Sequence, residues 1–252
     1  MQGAESERFL WINGIPGAGK TVLVSFIIEH LKQICRDDPE RGQAYYYCHH
    51  SRRRDEAAPF LRWVIGQLCR QSRWVPRQLK QLHDSGCEPS IPELENALEV
   101  MLSRFRCFYV VIDAVDESEP RSDLLAVIAT MAIDRRFGNL KVLASSRPYF
   151  DIARVFSGVS VALPMDNAAV AEDIRAFVRA RLTTSRHMMR RRHLFAEIED
   201  TLVHRAQGMY VQGFSILNSS ERGWLFFLLF FCTANGSFED GEILRVNIVK
   251  LL

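Results

Sequence analysis

The segment Gly14 to Thr21, GIPGAGKT, constrains this chain more than any other stretch. It follows the short apolar run Phe9–Ile12. It precedes Val22, Leu23, Phe26, Ile27 and Leu31, which fall at helical spacing. Three glycines and a proline would weaken the interior of a strand or helix, so the segment is a loop between the two. It fits the pattern G-x-x-x-x-G-K-[ST], and a strand before it with a helix after it is the context that confirms the pattern. Glycine lets the loop turn back so that successive backbone N–H groups point inward, and these join the helix N-terminus in an anion cradle. Gly14, Pro16, Gly17, Ala18, Gly19, Lys20 and Thr21 are therefore the candidate phosphate-binding residues. Lys20 would meet the β- and γ-phosphates, and the Thr21 hydroxyl would meet Mg²⁺.

The rest of the chain supplies a sheet to hold such a loop. Ala44–Tyr47 is a second strand candidate. Residues 107–117, CFYVVIDAVDE, form a continuous apolar run that ends in acids. A strand apolar throughout belongs at the centre of a parallel sheet covered on both faces. Leu140–Ala144 reads as a fourth strand stopped by SSRP, and Val159–Leu163 as a weaker fifth. Between them, helical patterns cover the segment after Asp55, which can cap it and whose Phe60, Leu61, Val64, Ile65, Leu68 and Cys69 form one apolar face, the segment after Ser90, and Leu124–Met131. Alternating strands and helices predict a three-layer α/β fold with a mostly parallel central sheet over residues 1–165. Helices at Asn167–Leu182 and Leu194–Ala206, with no strand between them, predict a partial helical subdomain over 166–211, with Gly208 as a C-cap.

Two further groups join the glycine loop in this reading. Asp113 ends the apolar strand, where an acid holds Mg²⁺ directly or through water. Asp116 and Glu117 lie one short turn beyond it. Glu117 is the expected base for a water attacking the γ-phosphate, with Asp116 as a metal-side or positioning acid. Arg147, at the end of the next strand, would lie near the γ-phosphate and sense it, because ligands sit beyond the carboxyl ends of strands in such sheets.

Composition excludes other classes. The 252 residues carry 32 basic and 30 acidic side chains, a formal net charge of +2, so no basic field argues for nucleic acid. The runs Arg52–Arg54 and Arg190–Arg192 read as solvated faces. The six cysteines form no C-x-x-C pair, which fits a cytoplasmic location. Cys48-His49-His50 invites a metal reading, but neighbours on a strand point to opposite faces, which argues against shared coordination. The N-terminus has no signal-peptide pattern. The most apolar run, Trp224–Cys232, is too short to span a bilayer as a helix.

GIPGAGKT, VVIDAVDE and VLASSRP, in that order and at that spacing, resemble the NACHT-type signalling NTPases. The resemblance is nearest to the nephrocystin-like N-terminal module of large fungal receptor-like STAND proteins. YYYCHH, FLRWVIGQLCRQ, AEDIRAFVRARL and AQGMY extend it over residues 8 to 211. It implies a switch in which ATP or GTP with Mg²⁺ holds an oligomerisation-competent state, paired with itself or with related receptors, and slow hydrolysis or exchange resets it. It implies phosphate and Mg²⁺ contacts for Lys20 and Thr21, a metal-side role for Asp113, a second acidic pair in Asp116 and Glu117, and a sensor role for Arg147.

The pattern departs from the family at both ends. The chain begins almost at the first strand, where the family has upstream helices, and this leaves the base, adenine or guanine, open. Residues 212–252 share no pattern with the family. They read either as the product of a truncated gene or mistaken gene model, or as a divergent pair of elements packed on the core. Two other functions compete: an interaction fragment that pairs with related receptors without catalysis, and a small-molecule kinase, which the acidic set and the lack of an arginine-rich lid disfavour.

Overall fold

The computed structural model describes residues 8–84, 86–165, 167–184 and 192–206. Residues 207–252, which include the expected Gly208 cap, the AQGMY match and the apolar tail, lie outside the described residues.

Five strands form one parallel sheet: β1 (Phe9–Asn13), β2 (Arg41–Tyr47), β3 (Cys107–Asp113), β4 (Leu140–Ser146) and β5 (Val161–Pro164). Their order across the sheet is β2-β3-β4-β1-β5. Sequence pattern and position agree strand by strand. The apolar β3 is central, as is β4, LKVLASS, and both are buried along almost their whole length. β2 and β5 lie at the edges, and their side chains alternate in exposure. The fold is thus the α/β P-loop NTPase architecture.

Helices cover both faces. α1 (Lys20–Asp37) buries Val24, Ile27, Ile28 and Leu31 and packs against β2, β3 and β4. On the opposite face lie α2 (Ala57–Ser72), α4 (Ile91–Leu102), α5 (Ser122–Ile133) and α6 (Phe150–Phe156). Their apolar sides meet Phe9, Trp11, Tyr46, Phe108, Val110, Val142 and other inward residues of the sheet. Alternate residues of one strand therefore serve two different helical layers. In α2 the stripe Phe60, Leu61, Val64, Ile65 and Leu68 is fully internal, as its spacing predicts.

Local signals explain several helix starts. The Glu93 carboxylate accepts the Ser90 N–H at 2.8 Å and its hydroxyl at 2.6 Å, at the entrance to α4. Asp55 does more than the expected capping of α2. Its Oδ1 accepts the Ala57 N–H at 2.9 Å, and its two oxygens also accept the Asp123 and Leu124 N–H groups in the first turn of α5. One carboxylate thus serves two helix N-termini.

Two helices were not expected from the sequence. α3 (Arg77–Asp84) has eight residues and only Leu79 and Leu82, both half-buried, on its apolar side, too few to show a period. α6 has seven residues, too few to show a period. A boundary also moved: β4 continues through Ser145 and Ser146, both fully buried, where the sequence suggested a stop. Ser146 C=O accepts the Gly14 N–H at 3.3 Å, and the Trp11 indole donates to Ser146 Oγ at 2.8 Å. Long-range hydrogen bonds of this kind carry no local sequence signature.

The edge strand β2 is closed by side chains. Gln67 receives the Tyr45 N–H at 3.3 Å and donates to its carbonyl at 3.0 Å. Gln71, one turn later, does the same for Gln43, at 3.1 and 2.6 Å. The two amides imitate a neighbouring strand and occupy backbone groups that would otherwise template aggregation. Gly42 in this strand is required by close approach: a Cβ there would lie 2.6 Å from the Phe108 ring.

The chain divides into two compact units. One comprises Met1–Gly14 with Lys20–Pro164. The other comprises Ile15–Gly19 with the helices from Met165 onward. The second contains α7 (Asn167–Thr184) and α8 (Phe195–Ala206), which pack on each other. Its core is Ala18, Ile174, Val178, Leu182 and Leu202. Arg175 and Arg179 both reach the buried Glu199 across this helix pair, at 3.3 and 2.7 Å. They hold its carboxyl below the usual range, Arg179 first, against a smaller opposing effect of burial.

Candidate phosphate-binding site

The glycine loop occupies the turn from β1 to α1. Gly17 and Gly19 adopt φ of 76° and 86°, in the left-handed region that other residues enter only at a cost. α1 begins at Lys20, directly after the loop. The Lys20 ammonium donates to the Gly14 carbonyl at 2.8 Å, so the lysine closes the loop on its own first residue. Ala18 N–H donates to the Ile15 carbonyl at 3.3 Å, and Ala18 is fully buried. Pro16 lies in the same loop and shares its turn with Gly17.

The parallel register brings the other candidates to the same end of the sheet. β1 ends at Asn13 opposite Ser146, and β3 ends at Asp113. The carboxyl ends of β1, β3 and β4 therefore deliver Gly14, Asp113 and Arg147 to one edge. Asp113 is buried and accepts hydrogen bonds from the Ser145 and Thr21 hydroxyls. Ser145 Oγ in turn accepts the Ala114 N–H at 3.1 Å. Burial raises the Asp113 carboxyl above its ordinary range, against the opposing effects of Ser145, Thr21, the Ala114 N–H and Lys20. Burial likewise lowers the Lys20 ammonium, while Asp116 and Asp113 oppose the shift and Arg147 adds to it.

Beyond Asp113 the chain makes a sharp turn. Ala114 adopts φ 58°, a strained value for a residue with a Cβ. Val115–Glu117 then form one 3-10 turn, which buries Val115 and points the two acids different ways. Asp116 faces Arg147: its Oδ1 accepts the Arg147 N–H at 3.0 Å, and its Oδ2 lies 3.2 Å from the guanidinium Nε. Glu117 is half-exposed and faces His50, whose N–H donates to Glu117 Oε2 at 3.4 Å.

The sequence reading missed three contributors. Ser145, within VLASSRP, orients Asp113 through its hydroxyl. Glu56 is a fully buried carboxylate that accepts from the Tyr46 hydroxyl, the Arg52 guanidinium and, at 2.9 Å, the His49 N–H. The Glu56 N–H donates to Ser118 Oγ at 3.2 Å, which ties the loop after β2 to the turn that carries Asp116 and Glu117. A glutamate inside a charged run, RRRDE, gives no local sign of burial. His50 was set aside on strand geometry, but β2 ends at Tyr47, so the histidines do not lie on a strand.

Residues 1–147 match the family model described as nephrocystin 3, N-terminal. The chain belongs to this family. Among curated relatives of this nephrocystin-like module is the vegetative incompatibility protein HET-E-1 of Podospora anserina, 26% identical over 193 residues. That match takes in 71% of the chain but only 14% of the fungal protein. Among solved structures, the ADP form of the Aeropyrum pernix ORC2 protein superposes with TM-score 0.48 at 13% identity. It covers 84% of this chain and 56% of that one. The Aeropyrum pernix ORC1 protein, solved in complex with DNA, gives TM-score 0.43 at 17% identity, over 62% and 39% of the two chains. No described helix is long and apolar enough to cross a membrane.

Proposed function

We propose that this nephrocystin-like module binds a nucleoside triphosphate with Mg²⁺, ATP first and GTP as the alternative, and works as a signalling switch with slow hydrolysis. The observation that carries the reading is the meeting of Lys20, Thr21, Asp113, Asp116 and Arg147 at the carboxyl edge of the sheet, beside the loop with two left-handed glycines. In this reading residues 1–165 are the nucleotide-binding core and 166–211 a partial helical subdomain. The module works in the cytoplasm and pairs with itself or with related receptors.

The residues suit the ligand chemically. Gly14, Pro16, Gly17, Ala18 and Gly19 shape a loop whose N–H groups face an anion. A polyphosphate against Lys20 would offset the burial that now lowers its ammonium. The Thr21 hydroxyl and the Asp113 carboxylate are hard oxygen donors, the type Mg²⁺ prefers, and a cation there would offset the burial that raises Asp113. Bound Mg²⁺ would neutralise charge on the β- and γ-phosphates. Glu117, the more exposed acid, directs or deprotonates the attacking water. Asp116 positions Arg147. A γ-phosphate would compete with Asp116 for the guanidinium, so Arg147 has two alternative partners and can report which nucleotide is bound.

The deciding experiment is equilibrium binding of labelled ATP and GTP with Mg²⁺ to the 252-residue chain and its Lys20→Ala variant. Lys20→Ala should weaken binding by about 10- to 100-fold or more, the worth of a lost charge-assisted contact. Glu117→Gln should keep binding and slow turnover by about 10²- to 10⁴-fold. A folded chain that binds neither nucleotide overturns the reading and leaves the non-catalytic interaction module.

A further inference from the structure

The histidines that follow β2 converge with Glu117. His49, His50 and Glu117 each offer one ligand atom, and these atoms lie within 4.8 Å of one another. They come from two loops 67 residues apart in sequence, so no spacing motif announces them. His50 Nδ1 is 3.8 Å from Glu117 Oε2. The two imidazoles stack, with centroids 5.2 Å apart and planes 14° from parallel.

The loop that carries them is anchored from beneath. The buried Glu56 carboxylate accepts the His49 N–H, and Arg52 pairs with that same carboxylate. His49 Nδ1 lies 2.8 Å from Ser51 Oγ and accepts the Ser51 N–H at 3.3 Å, so ligation through Nε2 requires Nδ1 to carry the proton, give up that N–H and donate to Ser51 Oγ. Cys48 takes no part: it is buried, and burial pushes its thiol up, away from the thiolate a metal needs.

We propose that His49, His50 and Glu117 form a site for a zinc-class divalent cation, with water completing its coordination. Two imidazoles and one carboxylate suit a borderline-soft ion and match a three-ligand site with an open position. They do not suit Mg²⁺, which favours oxygen donors. Tetrahedral coordination needs ligand atoms about 3.3 Å apart, so the set must close by up to about 1.5 Å, which side-chain rotation supplies at this exposure. A cation held here occupies the carboxylate given the water-directing role above, and so it inhibits turnover. That consequence rests on the proposed hydrolysis, whereas the binding does not.

The test uses the full chain. Co²⁺ is titrated into it and its d–d absorption recorded, and Zn²⁺ is then added in competition. The expected result is a tetrahedral Co²⁺ spectrum displaced by Zn²⁺. His50→Ala and His49→Gln should each weaken binding by at least the about 10- to 100-fold that even an outer partner commands, with circular dichroism unchanged. If His50→Ala does not fold, His50→Gln takes its place. Added Zn²⁺ should also slow Mg²⁺-ATP turnover in the parent chain and have less effect in His50→Ala. Equal Co²⁺ uptake by the parent and both variants would overturn the site, as would no uptake by the folded chain. If the chain hydrolyses nothing, the switch reading fails, and the Co²⁺ spectra still decide the site.

Discussion

Two connections in this molecule perform the same topological task by different means. Each leaves the carboxyl end of a strand and enters a helix: residues 14–19 between β1 and α1, and residues 48–56 between β2 and α2. The first is shaped by backbone freedom. Its left-handed positions, at residues 17 and 19, are glycines, and its cross-bond is the local contact from Lys20 to Gly14. The second is shaped by side chains. Its left-handed position is Arg53, at φ 45°, and the loop is held by the Glu56 and Asp55 carboxylates and by Ser118. The first loop spends the Gly14 and Ala18 N–H groups on carbonyls, and in the proposed phosphate-binding role its remaining N–H groups are kept for the ligand, so glycine does the shaping. A loop free of that demand can be pinned by buried carboxylates, at the cost of depending on distant partners.

The largest test of this contrast is Glu56→Ala. It leaves the Tyr46 hydroxyl and the His49 N–H without their acceptor, and Arg52 without its anion, although that guanidinium keeps the Tyr46 oxygen and the Tyr47 carbonyl. Two donors left without an acceptor cost about 1–3 kcal/mol each, which in a chain of this size lowers Tm by roughly 4–24 °C. Thermal unfolding reads it directly, and an unchanged Tm would mean the second loop holds itself. Gly19→Ala comes next. Forcing a Cβ into φ 86° costs about 1–2 kcal/mol, so Tm should fall by less. Nucleotide affinity should suffer more than stability there, and the reverse should hold for Glu56→Ala. If both variants lost binding and stability in the same proportion, the division of labour between the loops would break. The smallest effect is expected from Arg53→Gly. Relief of its left-handed strain is offset in part by the entropy of a new glycine, which leaves a net gain under about 1 kcal/mol, measurable by urea denaturation.

The same contrast explains what could be read in advance. The glycine loop, Asp113 at the end of an apolar strand, the central place of β3, and the apolar face of α2 all follow from residues close together in the chain. α3 and α6, of eight and seven residues, escaped because they are too short to show a period. Ser145, Glu56 and His50 escaped for another reason: their partners lie 32, 62 and 67 residues away, at Asp113, Ser118 and Glu117. Asp55 was legible as a cap for α2, but its second service to α5 was not.

The sequence by itself determined the elements that local chemistry dictates: where glycine must bend the chain, where an apolar run must be covered on both faces, and where a lysine and a threonine must follow a loop. Tertiary structure alone decided the sheet order, the pairing of Arg147 with Asp116, the burial of Glu56 and the meeting of the two histidines with Glu117. Backbone conformation and burial period are properties of neighbours in sequence. Hydrogen bonds and ion pairs between loops become defined only when the parallel register brings the ends of different strands to one edge.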